Sequence, residues 1–159
     1  LFDASGAAVL AFETIPSLPE AEVIADLLSD CRTPAWVSFS CKDDRHISDG
    51  SPIEAAASLF RNHPVVVAIG INCTPPQFAT ALIQRIREAV PGKAIIAYPN
   101  SGESYDAETG TWSGTAAPLD YADAAREWQA AGAKIIGGCC RTGPAHIAAL
   151  REALVGGER

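Results

Sequence analysis

Basic residues are scarce. The chain carries 12 Lys and Arg against 19 Asp and Glu, giving a net charge of −7 and a pI of about 4.8. An acidic chain with no basic cluster lacks the electrostatic footprint that nucleic acids and anionic lipid surfaces need, so neither is expected as a partner. Long apolar runs are missing too. None approaches the roughly 18 residues required to cross a bilayer, so no membrane span is expected, and no secretory signal is visible. Methionine is absent altogether, even at the first position, which reads as a piece cut from a longer polypeptide. Aromatics make up only 7%, yet hydrophobic residues reach 48% and charged residues 19%, a globular composition. The 159 residues suffice for a single domain spanning residues 1–159, and no linker or low-complexity tract interrupts them. The cysteine count is five, an odd number. Exported disulfide frameworks pair evenly, so a reducing, cytoplasmic setting is expected. Thiols there serve as core fillers, metal ligands or nucleophiles.

What is present is an alternation. Short apolar runs predict strands over 7–12, 35–40, 65–71, 94–98 and 134–136. Helical periodicity predicts helices over 18–28, 52–62, 75–90, 119–131 and 144–154. Thr74 is the expected N-cap of the third helix, with Pro75 at its first position. A βα unit repeated in this way implies an α/β fold with a parallel sheet and right-handed crossovers. Two architectures remain open: an open sheet with helices on both faces, or a (β/α)8 barrel with its first three units outside this sequence. A full barrel needs roughly 250 residues.

Parallel α/β folds bind ligands at the carboxyl ends of their strands. Here those ends are Glu13-Thr14, Ser38 to Ser40, Asn72-Cys73, Asn100 to Glu103, and Gly138-Cys139-Cys140. Each delivers polar or thiol groups to one face. The stretch Ile135 to Pro144, with two glycines before two adjacent cysteines, is the centre of the pattern. We read Cys73, Cys139 and Cys140 as three ligands of one Zn2+, an ion soft enough for sulfur that prefers four ligands. The open fourth position marks a catalytic site. Adjacent ligands reach one ion only through a sharp turn, which the pair Gly137-Gly138 is expected to ease.

This spacing is not the CxxC knuckle of structural zinc modules. By spacing alone the three thiols also read as small buried hydrophobes at strand ends, and a redox role for Cys139-Cys140 is disfavoured by the strained ring of a vicinal disulfide. Ser38, Asn72 and Asn100 line the same face. Asn72 either orients a substrate, supports the neighbouring Cys73 from outside, or is a turn residue. Glu103, Tyr105 and Trp112 occupy the long loop 99–118 and either cover a ligand or are solvated. Arg141 either reaches a carboxylate or caps a helix. Cys31 and Cys41 fall off the strand ends and are expected as non-ligands. His46, His63 and His146 are expected as neither ligands nor bases.

Phe12-Glu13-Thr14-Ile15-Pro16, Gly70-Ile71-Asn72-Cys73-Thr74, Tyr98-Pro99-Asn100-Ser101-Gly102-Glu103 and Gly137-Gly138-Cys139-Cys140-Arg141-Thr142 occur in this order over nearly the whole chain. Together they resemble the homocysteine S-methyltransferase family. The resemblance implies a zinc-dependent (β/α)8 TIM barrel, with this chain holding about the last five βα units. It implies a missing N-terminal barrel segment, since the family's Asp-Gly-rich first strands are absent. It further implies methyl transfer from a sulfonium donor, S-methylmethionine or S-adenosylmethionine, to the thiol of homocysteine, forming methionine. Glu13 would hold the amino group of homocysteine, with Asn72, Ser38 and Asn100 as the other substrate-side residues. The acceptor thiol would be ionised as fourth metal ligand, and positioning of donor against acceptor would be the main contribution. Two other readings stand beside this one: a catalytically inactive truncated zinc-binding barrel fragment, and an unrelated α/β binding module with buried cysteines.

Overall fold

A computed structural model describes residues 2–106, 108–114 and 118–156. The elements are β1 (Leu10–Ile15), α1 (Leu18–Leu28), β2 (Ala35–Phe39), α2 (Ile53–Ser58), β3 (Val66–Asn72), α3 (Pro76–Ala89), β4 (Ala94–Tyr98), β5 (Ser104–Asp106), β6 (Thr111–Ser113), α4 (Pro118–Ala131), β7 (Ala133–Ile136) and α5 (Pro144–Val155), after a short 3-10 turn at Phe2–Ala4. Five strands form one parallel sheet in the order β1-β2-β3-β4-β7. The antiparallel hairpin β5-β6 lies in the connection after β4, where the sequence suggested only a loop.

Strand order decides between the two architectures. Each strand of the large sheet lies beside its successor in the chain, with no reversal. Right-handed crossovers that all step the same way place every helix on the same face. A doubly wound sheet needs a switch point where the direction reverses, and the described strands contain none. The open sheet with helices on both faces is therefore excluded, and the succession is that of a barrel wall. On the helix side the core gathers Val37, Phe39, Ile69 and Ile71 with Leu82, Ile86 and Trp128. Side chains alternate along a strand, so the other face receives Trp36 and Ser38 from β2, Asn72 from β3 and Tyr98 from β4.

α2 ends at Ser58, four residues before its expected end, and two other boundaries that differ from expectation have a physical reason. β1 lies three residues later than the 7–12 run suggested, and it is irregular. Phe12 pairs with Val37 and Ile15 with Phe39, so β1 carries one extra residue. A bulge of this kind re-aims side chains, and it leaves Thr14 at φ 61. At α3 the cap residue is Pro75 rather than Thr74. Thr74 is fully buried; its hydroxyl donates to the Asn72 carbonyl and accepts from the Cys41 amide, both at 3.0 Å. It fastens the loop after β2 to the end of β3. The same loop supports α1, since Asp49 Oδ2 accepts from the Leu18 amide at 2.8 Å. Among the described residues no helix is long and apolar enough to cross a membrane.

Candidate metal centre

The site is built at the carboxyl ends of β3 and β7, on either side of β4. Cys73 follows β3 at φ 48, a left-handed conformation that side chains other than glycine rarely adopt. Its amide donates to the Tyr98 carbonyl at 3.4 Å, which turns the chain back toward β4. The second segment is zipped to the chain leaving β4. Gly137 donates to the Ala97 carbonyl at 3.0 Å, Cys139 to Pro99 at 2.9 Å, and Ser101 donates back to Cys140 at 3.0 Å.

The glycine pair plays a different part from the one expected. Neither Gly137 nor Gly138 has a positive φ; the left-handed residue is Arg141, at φ 65. Gly138 is required by close approach instead. A Cβ there would collide with the Thr142 hydroxyl oxygen and lie 2.7 Å from Thr142 Cβ. Thr142 sits this close because its hydroxyl donates to the Cys139 carbonyl at 2.7 Å, closing the turn that carries the two cysteines.

The three sulfurs converge. Cys140 Sγ lies 3.4 Å from Cys73 Sγ and 4.0 Å from Cys139 Sγ. Cys73 and Cys139 stand as a disulfide pair with Cα atoms 5.6 Å apart. All three sulfurs lie within 4.8 Å of one another, and theirs is the one such cluster of potential ligands among the described residues. A tetrahedral ion with metal–sulfur bonds of about 2.3 Å sets its sulfurs about 3.8 Å apart. In composition and span the set fits a soft divalent ion once the Cys73–Cys139 pair is reduced. Cys31 and Cys41 stand outside it. Burial pushes the Cys41 thiol up to about 12, so it stays protonated. His46 pairs with Asp43 at 3.0 Å, His63 contacts the Ala25 carbonyl at 3.2 Å, and His146 Nδ1 accepts from the Gly143 amide at 3.2 Å.

The polar residues named from the sequence divide into two groups. Glu13 is exposed and lines a cavity of about 260 Å³ together with Trp36, Tyr98, Gly137 and Gly138. Ser38 and Asn72 are fully buried and hydrogen-bonded to each other at 2.9 Å. Asn100 is buried, and its Oδ1 accepts from the Gly102 amide at 2.9 Å in a local turn. Arg141 reaches a carboxylate: its Nε donates to Glu103 Oε2 at 2.7 Å and its Nη2 to Oε1 at 3.3 Å. That donation holds the Glu103 carboxyl below its usual range. The side chains of Tyr105 and Trp112 lie outside the described residues. Sequence reasoning gave no role to Trp36 or Tyr98, and named Thr14 only beside Glu13 at a strand end. The first was findable, because alternation through β2 puts Trp36 on the same face as Ser38 and opposite Val37. The same alternation through β4 puts Tyr98 on that face, whereas the placing of Thr14 depends on a bulge that no local pattern announces.

Residues 1–154 match the family model described as homocysteine S-methyltransferase. The homocysteine S-methyltransferase YbgG of Bacillus subtilis is 51% identical over 144 residues, covering 90% of this chain and 45% of that protein. Crystal structures of the homocysteine methyltransferase MmuM from Escherichia coli superpose well. The apo form gives a TM-score of 0.76 at 42% identity, over 93% of this chain and 50% of the other. The metallated form gives 0.75 at 41%, over 92% and 45%. The chain spans about half the length of the curated relatives it matches. On these matches, the chain belongs to the homocysteine S-methyltransferase family.

Proposed function

We propose that this chain forms the zinc-binding portion of an enzyme that moves a methyl group from a sulfonium donor to the thiol of homocysteine, forming methionine. The observation that carries the reading is the convergence of the Cys73, Cys139 and Cys140 sulfurs. These thiolates would hold Zn2+ with one position left for a thiol. When bound, the ion supplies Lewis acidity that keeps such a thiol ionised near neutral pH. The metallated form of the Escherichia coli relative supports the presence of a metal.

The reaction balances without a protein acid or base. The homocysteine sulfur forms a bond to the donor methyl carbon as the carbon–sulfonium bond breaks. The electron pair leaves with the donor sulfur, which becomes a neutral thioether. What the chain must do is bind and orient. The exposed carboxylate of Glu13 suits the ammonium group of homocysteine. The rings of Trp36 and Tyr98 in the same cavity suit a sulfonium cation, which aromatic faces attract. S-methylmethionine and S-adenosylmethionine are both sulfonium donors and therefore both candidates. The remaining barrel segment is the expected structural partner, and a cytoplasmic setting suits the reduced thiols.

The test is methionine formation from homocysteine, with each donor in turn, by protein prepared under reducing conditions with zinc. The expected result is turnover with at least one donor, lost on chelation and in Cys140→Ala. Zinc bound by all three cysteines with no methionine from either donor would overturn the reading and leave an inactive metal-binding unit.

A further inference from the structure

Asn72 joins a strained piece of backbone to one of the three sulfurs. Its Oδ1 accepts from the Thr14 amide at 2.8 Å and from the Ser38 hydroxyl at 2.9 Å. Its Nδ2 donates to Thr14 Oγ1 at 2.6 Å and reaches Cys139 Sγ at 4.0 Å, the long end for an N–H···S contact. An amide offers two hydrogens and two acceptor sites, so this one is fully committed. Ser38 is committed as well. Its proton goes to Asn72 Oδ1, so its oxygen accepts from the Tyr98 hydroxyl, 2.5 Å away. The Tyr98 oxygen in turn accepts from Trp36 Nε1 at 3.1 Å, and an indole can only donate.

The result is a one-way chain of donors from Trp36 through Tyr98, Ser38 and Asn72 to Cys139. Its direction is fixed at Asn72, whose Oδ1 accepts from the Thr14 amide and can only accept from Ser38, so the Ser38 proton is taken and the Tyr98 hydroxyl must donate. Ser38 and Asn72 are 0% exposed, so water cannot replace the link between them. A flipped Asn72 amide would turn its oxygen toward the sulfur, set its N–H groups against the Thr14 amide and leave the buried Ser38 donor unmet, which folded proteins avoid. The same amide clasps Thr14, a β-branched residue at φ 61 that would otherwise relax.

We infer that this chain of donors is a positioning device for the Cys139 sulfur. It presents the Asn72 N–H to the thiolate and thereby sets metal affinity and the electron density on sulfur. Ser38, Asn72 and Tyr98 are then positioning residues, with both polar atoms of Asn72 and the proton of Ser38 used within the protein. The inference rests on the three-thiolate centre proposed above. Donation to a thiolate draws charge from it, which matters where three thiolates crowd one ion.

The test uses the cobalt(II)-loaded protein with neither homocysteine nor methyl donor present. Metal affinity is read by competition with a chromophoric chelator, and sulfur electron density by the energy of the thiolate-to-cobalt charge-transfer band. Asn72→Asp keeps the shape but replaces the donor nitrogen with an acceptor oxygen. It should lower affinity by about 10–100-fold, the range for groups that orient metal ligands, and move the band to lower energy. Tyr98→Phe keeps the ring and breaks the chain two links away, and should move both readouts less in the same direction. Should Asn72→Asp not fold, Tyr98→Phe carries the test. Folded variants with wild-type affinity and an unmoved band would overturn this inference alone. A wild-type protein with no thiolate-to-cobalt band would overturn the metal centre and this inference with it.

Discussion

Gly138→Ala tests how tightly the cysteine loop is built. The added Cβ would meet all of the Thr142 side chain, 2.7 Å from Cβ and 2.9 Å from Cγ2. Thr142 is β-branched and cannot swing aside freely, so its hydroxyl must leave the Cys139 carbonyl. Overpacking of this kind costs about 1–3 kcal/mol, and the lost hydrogen bond about 1 kcal/mol. The sum, about 2–4 kcal/mol, corresponds to a fall of roughly 5–15 °C in Tm for a chain of this size. Gly137→Ala is the matched comparison. Its Cβ would lie 3.6 Å from Tyr98 Cβ, an ordinary contact, at a position without a positive φ. Entropy lost from the unfolded chain makes that change neutral to stabilising by up to about 1 kcal/mol. Thermal melts under reducing conditions, paired with metal titrations, read both variants. Thr142→Gly removes the obstacle, so the cost of Gly138→Ala should shrink in that background by about 1–3 kcal/mol. A Gly138→Ala protein that melts with the wild type, or a cost that Thr142→Gly leaves untouched, refutes the account of the turn.

Three further outcomes follow. Cys73→Ala, Cys139→Ala and Cys140→Ala should each lose stoichiometric zinc, whereas Cys31→Ala and Cys41→Ala should retain it, as measured by metal analysis; full zinc in any of the first three counts against the ligand set. Because burial raises the Cys41 thiol to about 12, it should stay protonated and resist alkylation at about pH 8 in the folded protein; labelling as fast as in denaturant, read by peptide mass spectrometry, would contradict its burial. The Glu103 carboxyl is held down by Arg141, so the pair contributes above the unfolded carboxyl value and is lost as pH falls through the lower folded one. The stability gap between wild type and Glu103→Gln should therefore be present at neutral pH and close on acidification into that window; a gap that persists at the lowest pH, or widens there, has the wrong sign.

Much of the fold was legible because its signals are local. Apolar runs and capping residues mark the five βα units, and thiols at two strand ends mark the site. Strand order was not legible. The sequence left two architectures open, and only the uninterrupted neighbour-to-neighbour pairing removed the open sheet. The bulge at Glu13-Thr14 also escaped, since it arises from register between β1 and β2 rather than from any turn residue. The glycine pair was read for conformational freedom, when Gly138 is needed for space and the left-handed position belongs to Arg141. Ser38 and Asn72 could be placed on the right face from alternation alone. That their donors are used within the protein becomes visible only when Tyr98 and Trp36, from other positions in the sheet, are set beside them.

X-ray absorption at the zinc edge tests the central claim most directly. The account predicts three sulfur neighbours at about 2.3 Å and one lighter atom in the reduced protein, rising to four sulfurs when homocysteine is added. Two or fewer sulfurs from the protein, or a shell that homocysteine leaves unchanged, would contradict it.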